Sequence, residues 1–345
     1  MTHLLRDLSW QPPAHWQKIT TIDMHSGGEP LRVYTSGLPP IKGDTVLEKR
    51  RYFREHYDHI RTGTLWEPRG HADMYGAIIT PSADADLDVF FLHNDGYSTM
   101  CGHAIIALTK LVIETGIVRK DTEAPQLTFN VPAGKVHAQA IIENGRVRES
   151  SFRNVPSFLY LQNQQIEVPG IGIVRFDVAY GGAFYAFVEA KPLGLSLTAD
   201  DYSRLIDYGR RIKNSVARNF SITHPFEDDL SFLYGTIFTG SAEESGHHSR
   251  NVCIFAEGEV DRSPTGTGVS ARAAIHHAKG ELQLNEKITI ESILGSVMTV
   301  RAVEATNFGP YDAVIPEVSG TASITGRNEF YFDPEDPFRE GFILR

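Results

Sequence analysis

The chain has 345 residues, of which 41% are hydrophobic and 22% charged, and its formal net charge is −10. This length allows two domains of ordinary size, and the composition is typical of globular proteins. The charge argues against a nucleic-acid surface, which needs a clustered basic face, and no run approaches the roughly 18 apolar residues of a membrane span.

The N-terminal residues predict a short leader, which we place at residues 1–17. Pro12 and Pro13 break any helix in this segment. Asp7 interrupts the apolar run that a signal peptide requires. We therefore expect the protein to be cytoplasmic.

Two segments of the chain share one spacing of residues, but one carries a sulfur atom where the other carries an oxygen atom. Cys101 precedes an apolar, helix-like run that ends at Gly116, and Thr265 stands at the same distance before Gly280. Alignment of the two segments therefore pairs a thiol with a hydroxyl. Of the two groups, the thiol alone forms an anion near neutral pH and can act as a base.

The match extends beyond these two helices. Upstream, residues 23–28 match residues 177–182 in the spacing of an aspartate to a glycine pair, and downstream residues 127–131 match residues 288–292. A repeat this long excludes solenoids, whose units are roughly 20–50 residues. The sequence therefore predicts two copies of one domain.

The chain contains two cysteines, Cys101 and Cys253, too few for a disulfide framework or a thiolate zinc site. Cys253 lies in a strand-like apolar run, which indicates a small buried hydrophobe. Cys101 precedes a helix, whose N-terminus is worth up to about 2 kcal/mol to a nearby anion. At about 1.36 kcal/mol per pKa unit, we expect the thiol pKa to fall from about 8.5 to about 7. Such a thiolate is a general base that needs no metal or cofactor.

The same helix start is suited to a carboxylate, because the backbone amides of Gly102 and His103 point toward an anion placed there. Residues 265–268 offer an equivalent site. If the two domains face each other, a small carboxylic acid fits between the two helix N-termini, in a cleft of the kind that often binds ligands. Asp261 adds a negative charge suited to a substrate ammonium, although a turn or capping role explains its position equally well.

Other motifs do not predict a metal or cofactor site. The histidines at 71, 247 and 248 lack the helical spacing and carboxylate partner of zinc enzymes. Residues 266–268 lack a full dinucleotide fingerprint, and a Walker-type glycine-lysine motif is missing. We expect neither a metal nor a cofactor.

Three motifs resemble the signatures of the proline racemase family: Asp-Met-His-Ser-Gly-Gly-Glu-Pro at residues 23–30, Met-Cys-Gly-His at 100–103, and Asp-Arg-Ser-Pro-Thr-Gly-Thr-Gly at 261–268. The similarity extends over nearly the whole chain. It implies an α+β fold similar to diaminopimelate epimerase, with two pseudo-symmetric domains. Each domain would be a curled, mostly antiparallel sheet around a central helix, with the active site between them.

The repeat places the boundary between the domains near residue 154, and the resemblance implies that the C-terminal segment returns to the first domain. The first domain, carrying Cys101, would comprise residues 18–154 and a returning C-terminal segment, residues 328–345. The second, residues 155–327, would carry Asp261 and Thr265.

Proline racemases and hydroxyproline epimerases of this family carry a cysteine at both helix starts, one base for each face of the substrate's α-carbon. Thr265 departs from that pattern, and the Cys-plus-Thr pair resembles the subgroup that dehydrates trans-3-hydroxy-L-proline. In the trans isomer the ring hydroxyl and the α-hydrogen share one face, so a single protonatable group on that face can serve both bonds. The product would be pyrroline-2-carboxylate.

The resemblance assigns the catalytic base to Cys101 and leaves Thr265 as a hydrogen-bonding or shape-filling group. It assigns substrate binding to Gly102, His103, Asp261, Gly266 and Thr267. His103 would either tune the thiol or serve in capping and packing. The partner is a small molecule, hydroxyproline, with a homodimer also indicated by the resemblance. Two alternatives stay open: a proline racemase or hydroxyproline epimerase, and a non-catalytic amino-acid-binding protein.

Overall fold

The computed structural model describes residues 10–344, which form one continuous sheet and four α-helices. Residues 1–9 of the predicted leader, and residue 345 of the predicted first domain, lie outside the described residues. Residues 10–16 precede the first strand without forming a helix or strand of their own. The predicted domain boundaries stay predictions.

The elements before residue 155 contain two helices. They are β1 (Gln17–Ser26), β2 (Glu29–Ser36), α1 (Val46–Leu65), β3 (Tyr75–Thr80), β4 (Leu87–His93), β5 (Gly96–Ser98), α2 (Gly102–Glu114), β6 (Gln126–Val131), β7 (Gly134–Glu143) and β8 (Arg146–Arg153).

The elements after residue 155 contain the other two helices. They are β9 (Ser157–Val168), β10 (Gly172–Tyr180), β11 (Phe184–Glu189), α3 (Tyr202–Asn219), β12 (Leu233–Gly240), β13 (Ser249–Phe255), β14 (Glu259–Val260), α4 (Gly266–Ala278), β15 (Lys287–Glu291), β16 (Val297–Phe308), β17 (Tyr311–Gly320) and β18 (Ala322–Phe332).

One pairing scheme occurs twice in this sheet. In the first half β1 and β2 are antiparallel, β2 is parallel to β3, β3 to β5 are antiparallel neighbours, β4 is parallel to β6, and β6 to β8 form a meander. The strands β10 to β17 repeat every one of these relationships. The prediction of two copies of one unit is confirmed.

The two matching helices, α2 and α4, lie inside the curled sheets. Residues 102–109 of α2 and residues 266–275 of α4 are all buried. A helix that is apolar around its whole circumference has to be enclosed by other elements, and here the surrounding strands enclose it. The predicted α+β architecture, with a central helix in each half, is confirmed.

Strands from the middle and from both ends of the chain pair with each other and join the two halves. β8 pairs with β17, and β17 also pairs with β9. The C-terminal strand β18 pairs along β1, from Gln17 opposite Phe332 to Ser26 opposite Ala322. The last strand of the chain therefore belongs to the sheet of the first half, where it lies beside β1. None of the described helices is long and apolar enough to cross a membrane.

Candidate active site

The helices α2 and α4 meet at their N-termini. A Cβ atom placed on Gly102 would lie 2.5 Å from the Cα atom of Gly266, and a Cβ on Gly266 would lie equally close to Gly102. A side chain at either position would therefore push the helices apart. Glycine at both positions brings the two helix starts, and the residues that precede them, into one place.

A small cavity of about 20 Å³, which is room for about one water molecule, lies where the helices meet. All seven predicted site residues line it: Cys101, Gly102, His103, Asp261, Thr265, Gly266 and Thr267. Residues more than 160 positions apart in the sequence are thus neighbours at one site.

Cys101 is the N-cap residue of α2, with extended backbone angles and only 5% of its surface exposed. Burial raises the pKa of its thiol well above the ordinary value, the amide of Ala104 acts in the opposite direction, and the charge of Asp261 raises it further. The predicted pKa near 7 is therefore wrong. The helix start does favour the thiolate, but the loss of water around the sulfur outweighs it.

His103 contacts the thiol directly, with its Nδ1 atom 3.1 Å from Cys101 Sγ. Burial lowers the pKa of the imidazole to about 3, although a hydrogen bond to the Pro30 backbone raises it. The ring is therefore neutral at physiological pH. Since proline has no N–H, the imidazole donates to the Pro30 carbonyl, and its other nitrogen is left to face the sulfur.

Asp261 lies on the opposite side, just before α4. The backbone N–H of Ser263 donates to its Oδ1 atom at 2.7 Å, which is the turn geometry that the sequence left open. Burial raises the pKa of the carboxyl to about 6, although hydrogen bonds from Ser263 lower it. A buried carboxylate that is ionised at neutral pH attracts a cation, so the position also suits a substrate ammonium.

Thr265 is the N-cap residue of α4, equivalent to Cys101, with a φ of 70°. A β-branched residue rarely adopts this left-handed region, and such strain often occurs at functional sites. Its Oγ1 atom lies near the Asp261 carboxyl, but no hydrogen bond of good geometry joins it to any residue in the range 10–344. The hydroxyl is therefore placed for a molecule that occupies the cavity.

A protein-family model described as proline racemase matches residues 21–343, nearly the whole chain. The chain belongs to the proline racemase family.

Two named relatives and one crystal structure are similar to this chain over nearly its whole length. Trans-3-hydroxy-L-proline dehydratase from Colwellia psychrerythraea is 52% identical over 341 residues, covering 97% of this chain and 96% of the relative. The Homo sapiens protein of the same name is 45% identical over 335 residues, 95% of each chain. A crystal structure of a hydroxyproline epimerase from Agrobacterium vitis with bound trans-4-hydroxy-L-proline matches with a TM-score of 0.90 and 29% identity, covering 96% of each chain. The fold implied by the sequence motifs is confirmed.

In this proline racemase family member, the backbone amides at both helix starts lack a capping side chain. Neither Cys101 nor Thr265 makes a side-chain cap hydrogen bond. The first amides of a helix need acceptors from outside the helix, and they favour anions. The two helix starts that face each other, at Gly102–His103 and at Gly266–Thr267, are therefore a favourable environment for an anion.

Sequence reasoning missed half of the cavity wall. The remaining lining residues are Glu29, Tyr75, Met100, Tyr185, Tyr234, Cys253 and Phe255. Most of them lie on apolar strands, where the sequence pattern indicates core packing and nothing more. Glu29 had a usable signal, because it belongs to the motif at residues 23–30. Cys253 is fully buried, as predicted for a small hydrophobe, but it also reaches the cavity.

The tyrosines hold the polar wall of the cavity in place. The Tyr185 and Thr267 hydroxyls share a hydrogen bond of 2.8 Å, and the Tyr75 hydroxyl bonds the Ser98 hydroxyl. Burial raises the pKa of both tyrosines well above the ordinary value, so both hydroxyls are neutral. Among the described residues, no group of three or more His, Cys, Asp or Glu is placed to hold a metal ion.

Proposed function

We propose that this protein dehydrates trans-3-hydroxy-L-proline to pyrroline-2-carboxylate without a cofactor, and that the Cys101 thiolate removes the α-proton. The observation that carries this proposal is the meeting of Cys101 and Thr265 at two touching helix starts, beside Asp261. One ionisable base, rather than two, faces the substrate there. Two relatives that are 52% and 45% identical bear the dehydratase name, whereas the matched epimerase is 29% identical.

The substrate is held by its two charges. Its carboxylate accepts hydrogen bonds from the uncapped amides of Gly102 and His103 and of the equivalent pair on α4. Its ring ammonium pairs with Asp261. These contacts fix the ring in a single orientation, which converts the reaction into an intramolecular step.

Substrate binding also activates the thiol. The negative charge of Asp261 is one of the causes that raise the pKa of Cys101. When an ammonium pairs with Asp261, that repulsion is neutralised, and the thiolate becomes easier to form. The base is therefore generated where and when a substrate is present.

The reaction then uses one face of the ring. The Cys101 sulfur takes the α-hydrogen as a proton, and the electron pair left on the α-carbon forms the double bond as the C3–O bond breaks. The departing hydroxide is protonated on the same face and leaves as water. In the trans isomer the departing hydroxyl is on the same face as the α-hydrogen, so no group on the Thr265 side has to move a proton. The enamine product tautomerises to the imine without the enzyme.

A racemase or epimerase would need a second base on the Thr265 side. Cys253 is a second thiol that lines the cavity, but it lies within strand β13, whereas Cys101 is the N-cap residue of a helix. Cys253 therefore lacks the helix N-terminus that favours a thiolate at Cys101. An amino-acid-binding protein would use the same contacts without turnover.

The decisive experiment incubates the purified protein with trans-3-hydroxy-L-proline and follows the loss of one water by mass spectrometry, beside L-proline and the 4-hydroxy isomers. We expect dehydration of the trans-3-hydroxy isomer alone. Inversion at the α-carbon of any panel member would favour the epimerase, and binding without turnover would favour the binding protein. A cytoplasmic location and a homodimer stay predictions.

A further inference from the structure

Glu29, the first residue of β2, is a carboxyl group in the cavity that the reaction above does not use. It is fully buried and lines the cavity together with Cys101. The backbone N–H of Arg262 donates to its Oε2 atom at 2.7 Å. Its Oε1 atom is also buried and has no hydrogen-bond partner anywhere in residues 10–344.

A buried carboxyl oxygen without a partner is costly, since it has lost its water and gained nothing in return. Such groups are rare in folded proteins, and each one calls for an explanation. Here the explanation is available, because the oxygen belongs to a side chain that lines the substrate cavity. A ligand in the cavity can complete its hydrogen bonding.

Glu29 is a neutral acid in this setting. Burial raises its pKa well above the ordinary value and the charge of Asp261 raises it further, against the opposing effects of the Arg262 charge and amide. Two carboxylates that share a dry site cannot both be ionised easily. Because Asp261 is the group that pairs with the ammonium, Glu29 is the one that keeps its proton.

Glu29 belongs to the same half of the chain as Cys101, and its carboxyl accepts from the Arg262 amide of the other half. The next residue, Pro30, accepts a hydrogen bond from the ring of His103, and that ring contacts Cys101 Sγ at 3.1 Å. One imidazole thus connects the strand that carries Glu29 to the thiol. Thr265 faces them from the other half. In the trans isomer the α-hydrogen and the 3-hydroxyl both lie on the ring face toward Cys101.

We propose that Glu29 is the general acid that protonates the departing 3-hydroxyl group, a role that rests on the dehydration proposed above. The α-hydrogen passes to the Cys101 thiolate as a proton, the C2–C3 double bond forms, and the C3–O bond breaks while its oxygen takes the proton of Glu29. Enamine and water leave. The enzyme is left with a thiol and a carboxylate, and one proton returns from Cys101 to Glu29 through solvent after release.

The chemistry explains why a separate acid helps. Hydroxide is a poor leaving group, and a positioned acid typically contributes about 10²–10⁴ to the rate of such a step. A thiol that is just receiving the α-proton cannot give it to the oxygen in the same step. An acid beside it allows both proton transfers to occur together.

The test removes the acidic proton of Glu29 by substitution, and it compares a substrate whose leaving group needs a proton with one whose leaving group does not. Glu29→Gln keeps the size of the side chain and an acceptor for the Arg262 amide, but it cannot give up a proton. We expect dehydration of trans-3-hydroxy-L-proline to fall by about 10²–10⁴. With trans-3-chloro-L-proline, whose chloride leaves without a proton, we expect the same variant to stay within about tenfold of the unmodified protein. Cys101→Ser should lose both reactions.

Two results would overturn the role of Glu29. The variant would either dehydrate the hydroxy substrate within about threefold of the unmodified rate, or lose the chloro reaction to the same extent, which would mean that Glu29 acts in binding or alignment. Glu29→Asp is the second variant, because it keeps a carboxyl group but moves it away from the substrate by one methylene. It should slow the reaction of the hydroxy substrate more than that of the chloro substrate. Failure of the unmodified protein to dehydrate at all would count against the proposed function instead.

Discussion

Cys101 and Thr265 occupy the same position in two copies of one structural unit: each is the residue before the first glycine of a buried helix, and those glycines touch. The fold therefore places a thiol and a hydroxyl on two sides of one cavity. Because a thiol ionises at a far lower pH than an aliphatic hydroxyl, two halves with the same strand pairing form a site that is chemically one-sided. The predictions below follow from that difference.

Cys253 tests whether any buried thiol in the cavity would serve. It lines the same cavity as Cys101, and its pKa is also raised by burial. We expect Cys253→Ala to dehydrate trans-3-hydroxy-L-proline within about tenfold of the unmodified rate, because it takes no proton. Steady-state kinetics measure this, with circular dichroism as the folding control. A loss of dehydration activity as large as that from altering Cys101 would mean that Cys253 also acts as a base, which would contradict this prediction.

Thr265→Cys tests the placement of the second helix start. A thiol there would face the α-carbon opposite Cys101, and we expect the variant to interconvert L-proline and D-proline at a rate that chiral chromatography can measure. Thr265→Ser is the matched control, since it removes only a methyl group, and it should not invert the substrate. A folded, dehydrating Thr265→Cys protein without inversion would show that this side chain does not face the α-carbon.

The pH dependence of kcat/KM should report Asp261. Its pKa is raised to about 6 by burial, and the protonated form carries no charge for the ammonium. We therefore expect kcat/KM to fall as the pH drops through about 6, and to rise further at alkaline pH as the thiolate of Cys101 forms. In Asp261→Asn the limb near pH 6 should vanish together with substrate binding. An acid limb that survives in this variant would belong to another group.

Asp261 should also cost stability. Its pKa is 3.8 in the ordinary case and about 6 in the folded protein, so the folded state binds the proton more tightly and the penalty grows as the pH rises from about 4 through 6. At about 1.4 kcal/mol for each pKa unit, the penalty at neutral pH is about 3 kcal/mol. Asp261→Asn, which can still accept from the Ser263 amide, should therefore raise the free energy of unfolding by that order.

Urea unfolding at two pH values measures this effect. The gain of Asp261→Asn should be present at about pH 7 and nearly absent at about pH 3, where the Asp261 carboxyl is mostly protonated in both the folded and the unfolded state. An equal gain at both pH values would point to packing rather than charge. A loss of stability at neutral pH would mean that the Asp261 carboxylate stabilises the empty site.

The repeat could be recognised in the sequence because glycines mark the turns and the helix ends at matching positions. The Gly27–Gly28 pair forms the β1–β2 turn with positive φ angles, and Gly116 and Gly280 end the two helices with φ near 72°. Such positions favour glycine for steric reasons. The equal spacing of these glycines therefore predicted that the two halves share one fold. The motifs around Cys101 and Thr265 predicted where the cavity lies.

The rest of the site depends on tertiary burial, which spacing does not encode. Tyr75, Tyr185 and Tyr234 lie on strands whose pattern is that of any core, and only the curvature of the sheets turns them toward the cavity. The pKa of Cys101 was misjudged for the same reason. The helix contribution follows from the chain alone, whereas the larger desolvation follows from what packs around the sulfur.

The most direct test of the central claim compares Cys101→Ser with the unmodified protein on trans-3-hydroxy-L-proline, with substrate affinity measured in parallel by calorimetry. The serine keeps the size and position of the side chain but cannot form an anion near neutral pH. We expect dehydration to fall by about 10³ or more while affinity stays within about tenfold. Substantial remaining dehydration in that variant would contradict the assignment of the base.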